Sequence, residues 1–338
     1  MKKFTKGCLV AALILFLVGA VFCGVFGVLG GYEQLDQYGQ RVYDIGFGGL
    51  KFGYHENQFG FGYWDDDWEI SSGALNLLDT TREMVKTSCK ASDVTDILVS
   101  IGGNNLVIEE SEDEFIWVQN DSSVKAVKYG MENGVFELRT GTQFHFFGIK
   151  YGDSGNNGKI YLYLPKGMKL ETFDLELGGG NIESIALEAD EMILEVGAGK
   201  MKMDGLTAET MDVSIGAGKA DISTLNAQDV TLEIGAGTMK MDEFEVDNMV
   251  LQVGMGDLDA EGNIRKNADI ECGMGNIDLI LHGKESDYNY NVECAMGNIR
   301  IGESKFSNLA AERSVNNGSN CDFDVECGMG NITIDFKN

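Results

Sequence analysis

The sequence predicts an all-β fold, a single-stranded β-helix or solenoid with coils of about 19 residues, preceded by one N-terminal transmembrane helix. Three observations carry this. Glycine-x-glycine triplets recur at a fixed spacing, apolar and polar residues alternate between them, and a long uncharged segment lies near the start.

That segment comes first. Lys2, Lys3 and Lys6 precede Leu9 to Gly31, which contains no charged residue. At about 1.5 Å per residue the run spans roughly 34 Å as a helix, enough to cross a bilayer. A cleaved signal peptide is the alternative, but its apolar region is usually about 7–15 residues. A lipoprotein reading would use Cys23, and Phe22 is bulky for the position before a lipidated cysteine. The favoured reading is an uncleaved anchor at 9–31 within a 1–31 segment. Its lysines keep the N-terminus in the cytoplasm. The expected location is the cell membrane, single-pass, with the C-terminal domain extracytoplasmic.

Composition narrows the partners. The 338 residues hold 54 acidic and 26 basic side chains, a net charge of −28. The anchor segment carries only lysines, so the remainder is more negative still. That balance argues against nucleic acid, because phosphate binding needs clustered Lys and Arg. Apolar residues make up 43%, enough for a core, and 45 glycines against a single proline argue against a proline-rich stalk. His55, His145 and His282 lie far apart in sequence, so no histidine metal motif is visible.

Residues 32–90 are rich in glycine and aromatics, as in Phe59-Gly60-Phe61-Gly62-Tyr63-Trp64, and read as a juxtamembrane spacer. Residues 91–170 read as a β-rich N-terminal part and cap. Ile97, Val99 and Ile101 alternate before Gly102-Gly103, Leu106 and Ile108 alternate after it, and Asn133-Gly134 and Pro165-Lys166-Gly167 are turn signals.

Residues 171–338 hold the repeat. Its corners are Gly178/Gly180, Gly197/Gly199, Gly216/Gly218, Gly235/Gly237, Gly254/Gly256 and Gly273/Gly275, each 19 residues from the last. The series continues with Ala295-Met296-Gly297, 22 residues on, and Gly328-Met329-Gly330, a further 33 on. A period near 20 indicates a solenoid. In one coil the apolar positions are Ala220, Ile222, Leu225, Ala227, Val230, Leu232 and Ile234. Spacing of two marks a strand with one buried face. Jumps of three, after Ile222 and after Ala227, mark two corners, and the G-x-G is the third. Glu303–Cys321, rich in Asn and Ser, interrupts the last coils and is expected to protrude as a loop that could contact a ligand.

Several motifs have a structural reading and a chemical one. Gly197-Ala198-Gly199-Lys200 lacks the spacing and following helix of a phosphate loop and recurs in every coil, so its glycines read as tight corners. Cys272, Cys294 and Cys327 hold the place before the corner that Val196, Ile215, Ile234 and Val253 hold elsewhere, and read as inward-facing buried thiols. A bridge such as Cys321–Cys327 and a metal site are the alternatives. Asn181, Asn276, Asn298 and Asn331 follow corners and are placed to bond as a ladder. No catalytic, cofactor-binding or metal-ligating residue is assigned, and no cofactor is expected.

Asp96-Ile97-Leu98-Val99-Ser100-Ile101-Gly102-Gly103-Asn104, Tyr163-Leu164-Pro165-Lys166-Gly167, the serial [VI]-G-A-G corners and the closing Cys327-Gly328-Met329-Gly330-Asn331-Ile332 together resemble the bacterial "putative adhesin" domain family of unknown function. The resemblance covers residues 94–338. It implies a repetitive β-solenoid, often attached to a membrane segment, with a surface role and no catalytic motif.

The expected function is a membrane-anchored extracytoplasmic β-solenoid, a non-enzymatic surface binding or scaffold module. Its partner would be a surface ligand or an envelope protein, with the membrane contacted through residues 9–31. The alternative is an envelope-stress or signalling accessory acting through its membrane segment, where Gly19, Cys23 and Gly27 could form a helix-packing face. A glycan-active enzyme ranks third.

Overall fold

The computed structural model describes the strands at 42–44, 51–55, 58–62 and 76–77, and residues 85–121, 124, 127–140, 158–306 and 311–337. The anchor expected at 9–31, including Gly19, Cys23 and Gly27, lies outside the described residues. Among those described, no helix is long and apolar enough to cross a membrane.

The chain divides into two compact units. The smaller contains an antiparallel sheet of Val42–Asp44, Lys51–His55 and Gln58–Gly62, inside the range read from sequence as a spacer. The larger is all-β. Its regular coils stack in parallel: Lys219–Ile234 pairs with Thr238–Val253, from Lys219 opposite Thr238 to Ile234 opposite Val253.

The alternation of the sequence decides what faces in. Ala220, Ile222, Leu225, Ala227, Val230, Leu232 and Ile234 are all buried. Consecutive outward residues fall at Ser223-Thr224 and Gln228-Asp229, where the jumps of three require the chain to turn. Each side chain lands on its counterpart one coil away, so the interior is a set of apolar columns. One runs Ile101, Leu177, Val196, Ile215, Ile234, Val253 and then Cys272.

One coil departs from the period. Strict repetition places Asn263 and Arg265 inward; instead Gly262 and Ile264 are the inward pair, and the register slips after Met241 and recovers by Asn248. Gly262 packs directly over Phe244 of the coil below. A Cβ on Gly262 would lie 2.1 Å from the Phe244 carbonyl oxygen and 2.6 Å from its ring. Only glycine passes over that side chain.

Both ends of the stack are closed by antiparallel strands, which removes the open edges a bare coil would present. At the first end, Val135–Thr140 and Lys159–Pro165 extend the coil made by Asp96–Ile101 and Asn105–Ser111. Val127–Glu132 and Phe115–Asn120 then pair antiparallel outside them, followed by Asn76–Leu77 and Val85–Lys90. Asn133 and Gly134 form the hairpin turn with φ of 52° and 89°, the positive values that such turns need.

The other end is not in chain order. The coil ending at the Gly273–Gly275 corner is covered by Asp322–Cys327 and Asn331–Lys337, the last two described strands. Asn289–Cys294 and Asn298–Ile301, which come earlier in sequence, stack outside those. The spatial order of corners is therefore 273, 328, 295. The segment Glu303–Cys321 is also different from expectation. It is not a protruding loop, because Ser304–Phe306 and Ala311–Val315 pair antiparallel with the outermost coil. Asn317 and Ser319 fold back on Tyr288, Asn289 and Asp287. The outer coil has free backbone groups on that edge, and this segment satisfies them.

Candidate binding surface

The G-x-G corner is the most repeated feature of the surface. In each coil the N–H of the middle residue donates to the carbonyl of the first glycine one coil below, at 2.7 Å: Ala198 to Gly178, Ala217 to Gly197, Ala236 to Gly216, Met255 to Gly235, Met274 to Gly254, Met329 to Gly273 and Met296 to Gly328. The last glycine of each triplet sits where two coils nearly touch. An added Cβ would lie 2.3 Å from backbone oxygen at Gly199, 2.5 Å at Gly218, 2.4 Å at Gly237, 2.3 Å at Gly256, 2.0 Å at Gly275, 2.3 Å at Gly330 and 2.4 Å at Gly297. At the first position the approach is looser, 2.9 Å at Gly235, Gly254, Gly273 and Gly328. The outer coil accordingly carries Ala295 there. Gly180 faces the Asn104 backbone in the same way, while Gly178, Gly197 and Gly216 receive the corner bonds just described.

The middle residue points to solvent. In the early coils it is Gly179, Ala198, Ala217 and Ala236, and in the last four it is methionine. Met255, Met274, Met329 and Met296 are 49%, 44%, 45% and 65% exposed. Among the described residues the one other exposed large apolar side chain is Val250. The four methionines stand at adjacent corners, one strand apart at each step, and form a ridge on the surface.

A ladder of amides runs beside the ridge, three residues past each corner's first position. Asn298 donates to Asn331 at 3.0 Å, Asn331 to Asn276 at 2.8 Å, and Asn276 to Asp257 at 2.6 Å. Asn181 makes the same bond to Asn105 at 2.9 Å. On the ridge's other side, Glu271, Glu326 and Glu293 stand in register.

Further along that face the carboxylates crowd. Glu195 sits in the row Glu176–Glu195–Ser214–Glu233. Its carboxyl is pushed up to about 8, first by loss of water and then by the charges of Glu176, Asp174 and Glu233. Glu176 is raised as well, mainly by burial, against the opposing bond from Ser100.

Beneath the ridge lies the thiol column. Cys272, Cys327 and Cys294 are free, buried and stacked in that order. Each Sγ donates at 3.1 Å to the carbonyl of its own corner's last glycine. The hydrogen bond with Cys272, then burial, pushes the Cys327 thiol up; burial does the same at Cys294. Cys321 stands apart and donates to the Arg265 carbonyl at 3.0 Å.

His282 lies 3.1 Å from Glu261, which also binds Lys337, and 3.6 Å from Glu243. These groups sit on stacked strands and tie the end of the chain to the coil beneath. A shallow cleft of about 180 Å³ is lined by Leu164, Lys166, Met168, Ile185 and Leu187, among others. The corner strip, with an apolar crest between an amide ladder and a carboxylate row, is the best-defined candidate for contact with another molecule. Alternation indicated the faces. The ridge itself was legible only as methionine recurring inside the triplets.

Several solved structures are similar to this chain. The "putative lipid binding protein" of Parabacteroides distasonis is 14% identical over 77% of this chain and 97% of its own, with a TM-score of 0.46. A "putative adhesin" of Bacteroides fragilis is 12% identical over 75% and 98%, with a TM-score of 0.43. Another from Parabacteroides merdae is 14% identical over 78% and 97%, with a TM-score of 0.38. No curated protein matches. The Toastrack DUF4097 family matches residues 94–335, which span the whole series of coils from the first corner to the last. On that match the chain belongs to the Toastrack DUF4097 family.

Proposed function

We propose that this protein is a non-enzymatic binding or scaffold module of the bacterial cell surface, held to the membrane by residues 9–31 with the solenoid outside. The observation that carries the reading is the corner strip. Exposed groups of one kind stand in register one strand apart, four methionines flanked by three asparagines and three glutamates. Such a surface suits an extended ligand with its own repeat, such as a glycan or a surface protein segment. The uncharged run at 9–31 supports the anchor, and the preceding lysines support the orientation.

The test is retention from envelope extracts by the full chain in detergent, compared with a variant in which Met255, Met274, Met329 and Met296 are all replaced by Ser. A glycan or surface protein held by the native chain and lost by the variant supports the reading. Retention only of a membrane protein, unaffected by the ridge and lost on Gly19→Leu with Gly27→Leu, overturns it in favour of an accessory acting through the anchor. Protease protection of the solenoid in intact cells would refute the proposed orientation.

A further inference from the structure

We propose that the methionine ridge is a binding site for a soft monovalent metal ion, copper(I) or silver(I), held between thioethers of adjacent coils.

The corner does not require methionine. Ala198, Ala217 and Ala236 occupy the same place with the same 2.7 Å backbone bond, and none of these residues has a positive φ. The four methionines adjoin in space although two are out of sequence order. Met329 lies between Met274 and Met296 because the C-terminal coil is inserted there. The fold therefore sets which methionines are neighbours: Met329, not Met296, stands beside Met274.

The geometry suits a two-coordinate ion. Neighbouring strands lie about 4.8 Å apart. A metal–sulfur bond is about 2.3 Å, the value for zinc thiolates, so a near-linear S–metal–S unit spans roughly the distance between stacked side chains. Methionine's flexible chain supplies the remaining adjustment. Thioethers select soft copper(I) over calcium, magnesium or manganese, which prefer oxygen. They are also neutral, so no proton must leave before the ion binds. The row Glu271, Glu326 and Glu293 on one side and Asp257 on the other place negative charge near the cation. The thiols of Cys272, Cys327 and Cys294 are buried and bonded to backbone carbonyls, which leaves the exposed thioethers as the first sulfur ligands the ion meets.

The spacing makes a sharp test. Every adjacent pair of the ridge includes Met274 or Met329. Replacing both by Leu leaves Met255 and Met296 three coils apart, beyond a shared ion. Replacing Met255 and Met296 instead leaves the central pair intact. The full chain in detergent, labelled with [ε-¹³C]methionine and with accessible thiols alkylated by iodoacetamide, is titrated with silver nitrate in chloride-free buffer. The expected result is a shift of the ε-methyl signals of Met255, Met274, Met329 and Met296 that saturates at no more than two ions per chain. The M274L/M329L variant should bind at least about tenfold more weakly, and M255L/M296L should retain one ion. Unmoved methyl signals, or equal binding by M274L/M329L and the native chain, would overturn the proposal. Either result leaves the surface-binding reading to its own test.

Discussion

Replacing Gly256 by alanine should destabilise the solenoid more than any comparable change at the outer edge of a corner. The added Cβ would sit 2.3 Å from the Gly237 carbonyl oxygen and 2.6 Å from Ile234 Cγ2, where real contacts do not fall below 3.0 Å. The two coils must separate by at least about 0.7 Å. That movement strains the bonds that close this corner, Met255 to Gly235 at 2.7 Å and Asp257 to Gly237 at 3.0 Å. Overpacking of this kind costs about 1–3 kcal/mol, and losing one hydrogen bond costs about 1 kcal/mol more. A total of about 2–4 kcal/mol corresponds to a fall in melting temperature of roughly 5–15 °C for a domain of this size. The series includes its own controls. Gly254→Ala meets backbone at 2.9 Å and should cost less; Gly179→Ala has nothing within 4 Å and should be neutral, or slightly stabilising through the unfolded chain. Thermal unfolding followed by circular dichroism ranks the three. If Gly256→Ala melts with the native chain, or Gly179→Ala falls as far, close stacking is not what requires the glycines.

Other expectations follow from the same structure. Ending the chain after Cys321 removes the coil between the Gly273–Gly275 corner and the outer Asn289–Ile301 strands, and should expose amides of 267–282 and 289–301 to hydrogen exchange while those of 187–253 stay protected. The half-exposed, bidentate Arg300–Asp335 pair also joins the outer coil to that insert, and solvent screening holds its contribution to about 1 kcal/mol, so Asp335→Asn should lower the melting temperature by only a few degrees. Glu195 has a folded value of about 8 against an ordinary 4.5, so the folded state holds the proton more tightly and stability falls as pH rises through that window. Glu195→Gln should raise the melting temperature at pH 8.5, change it little at pH 4.5, and flatten the dependence between them. In the native solenoid Cys321 should react with a disulfide reagent before Cys272, Cys294 and Cys327, which stay unreactive until unfolding, a contrast readable by mass spectrometry.

Much of this architecture was legible because local chemistry and global shape share one period. Ala220 through Ile234 alternate with spacing two, so they must face one side; the jumps of three must turn; the glycines must sit where coils approach. Those readings needed only the neighbours along the chain. The tight packing of Gly262 on Phe244 was not legible, because the two meet only across neighbouring coils. The segment 303–321 departs from the expected loop for a related reason. Its Asn and Ser content resembles a loop, and its strands exist because the outermost coil offers them unpaired backbone.

What the sequence determined by itself was the all-β solenoid, its 19-residue coil, the inward residues and the family. Each follows from periodicity, which is a property of consecutive residues. What only the tertiary structure decided was the order of the last coils. Every coil presents the same register, a cysteine before the corner and an asparagine after it in the last three, so Cys294 and Cys327 are interchangeable partners for Cys272 by sequence pattern alone. The fold places Cys327 first, with the chain's last strands inside and its Ser304–Phe306 and Ala311–Val315 strands as the cover. That choice sets which methionines adjoin, Met329 rather than Met296 beside Met274, because stacking acts between strands that are neighbours in space whatever their distance along the chain.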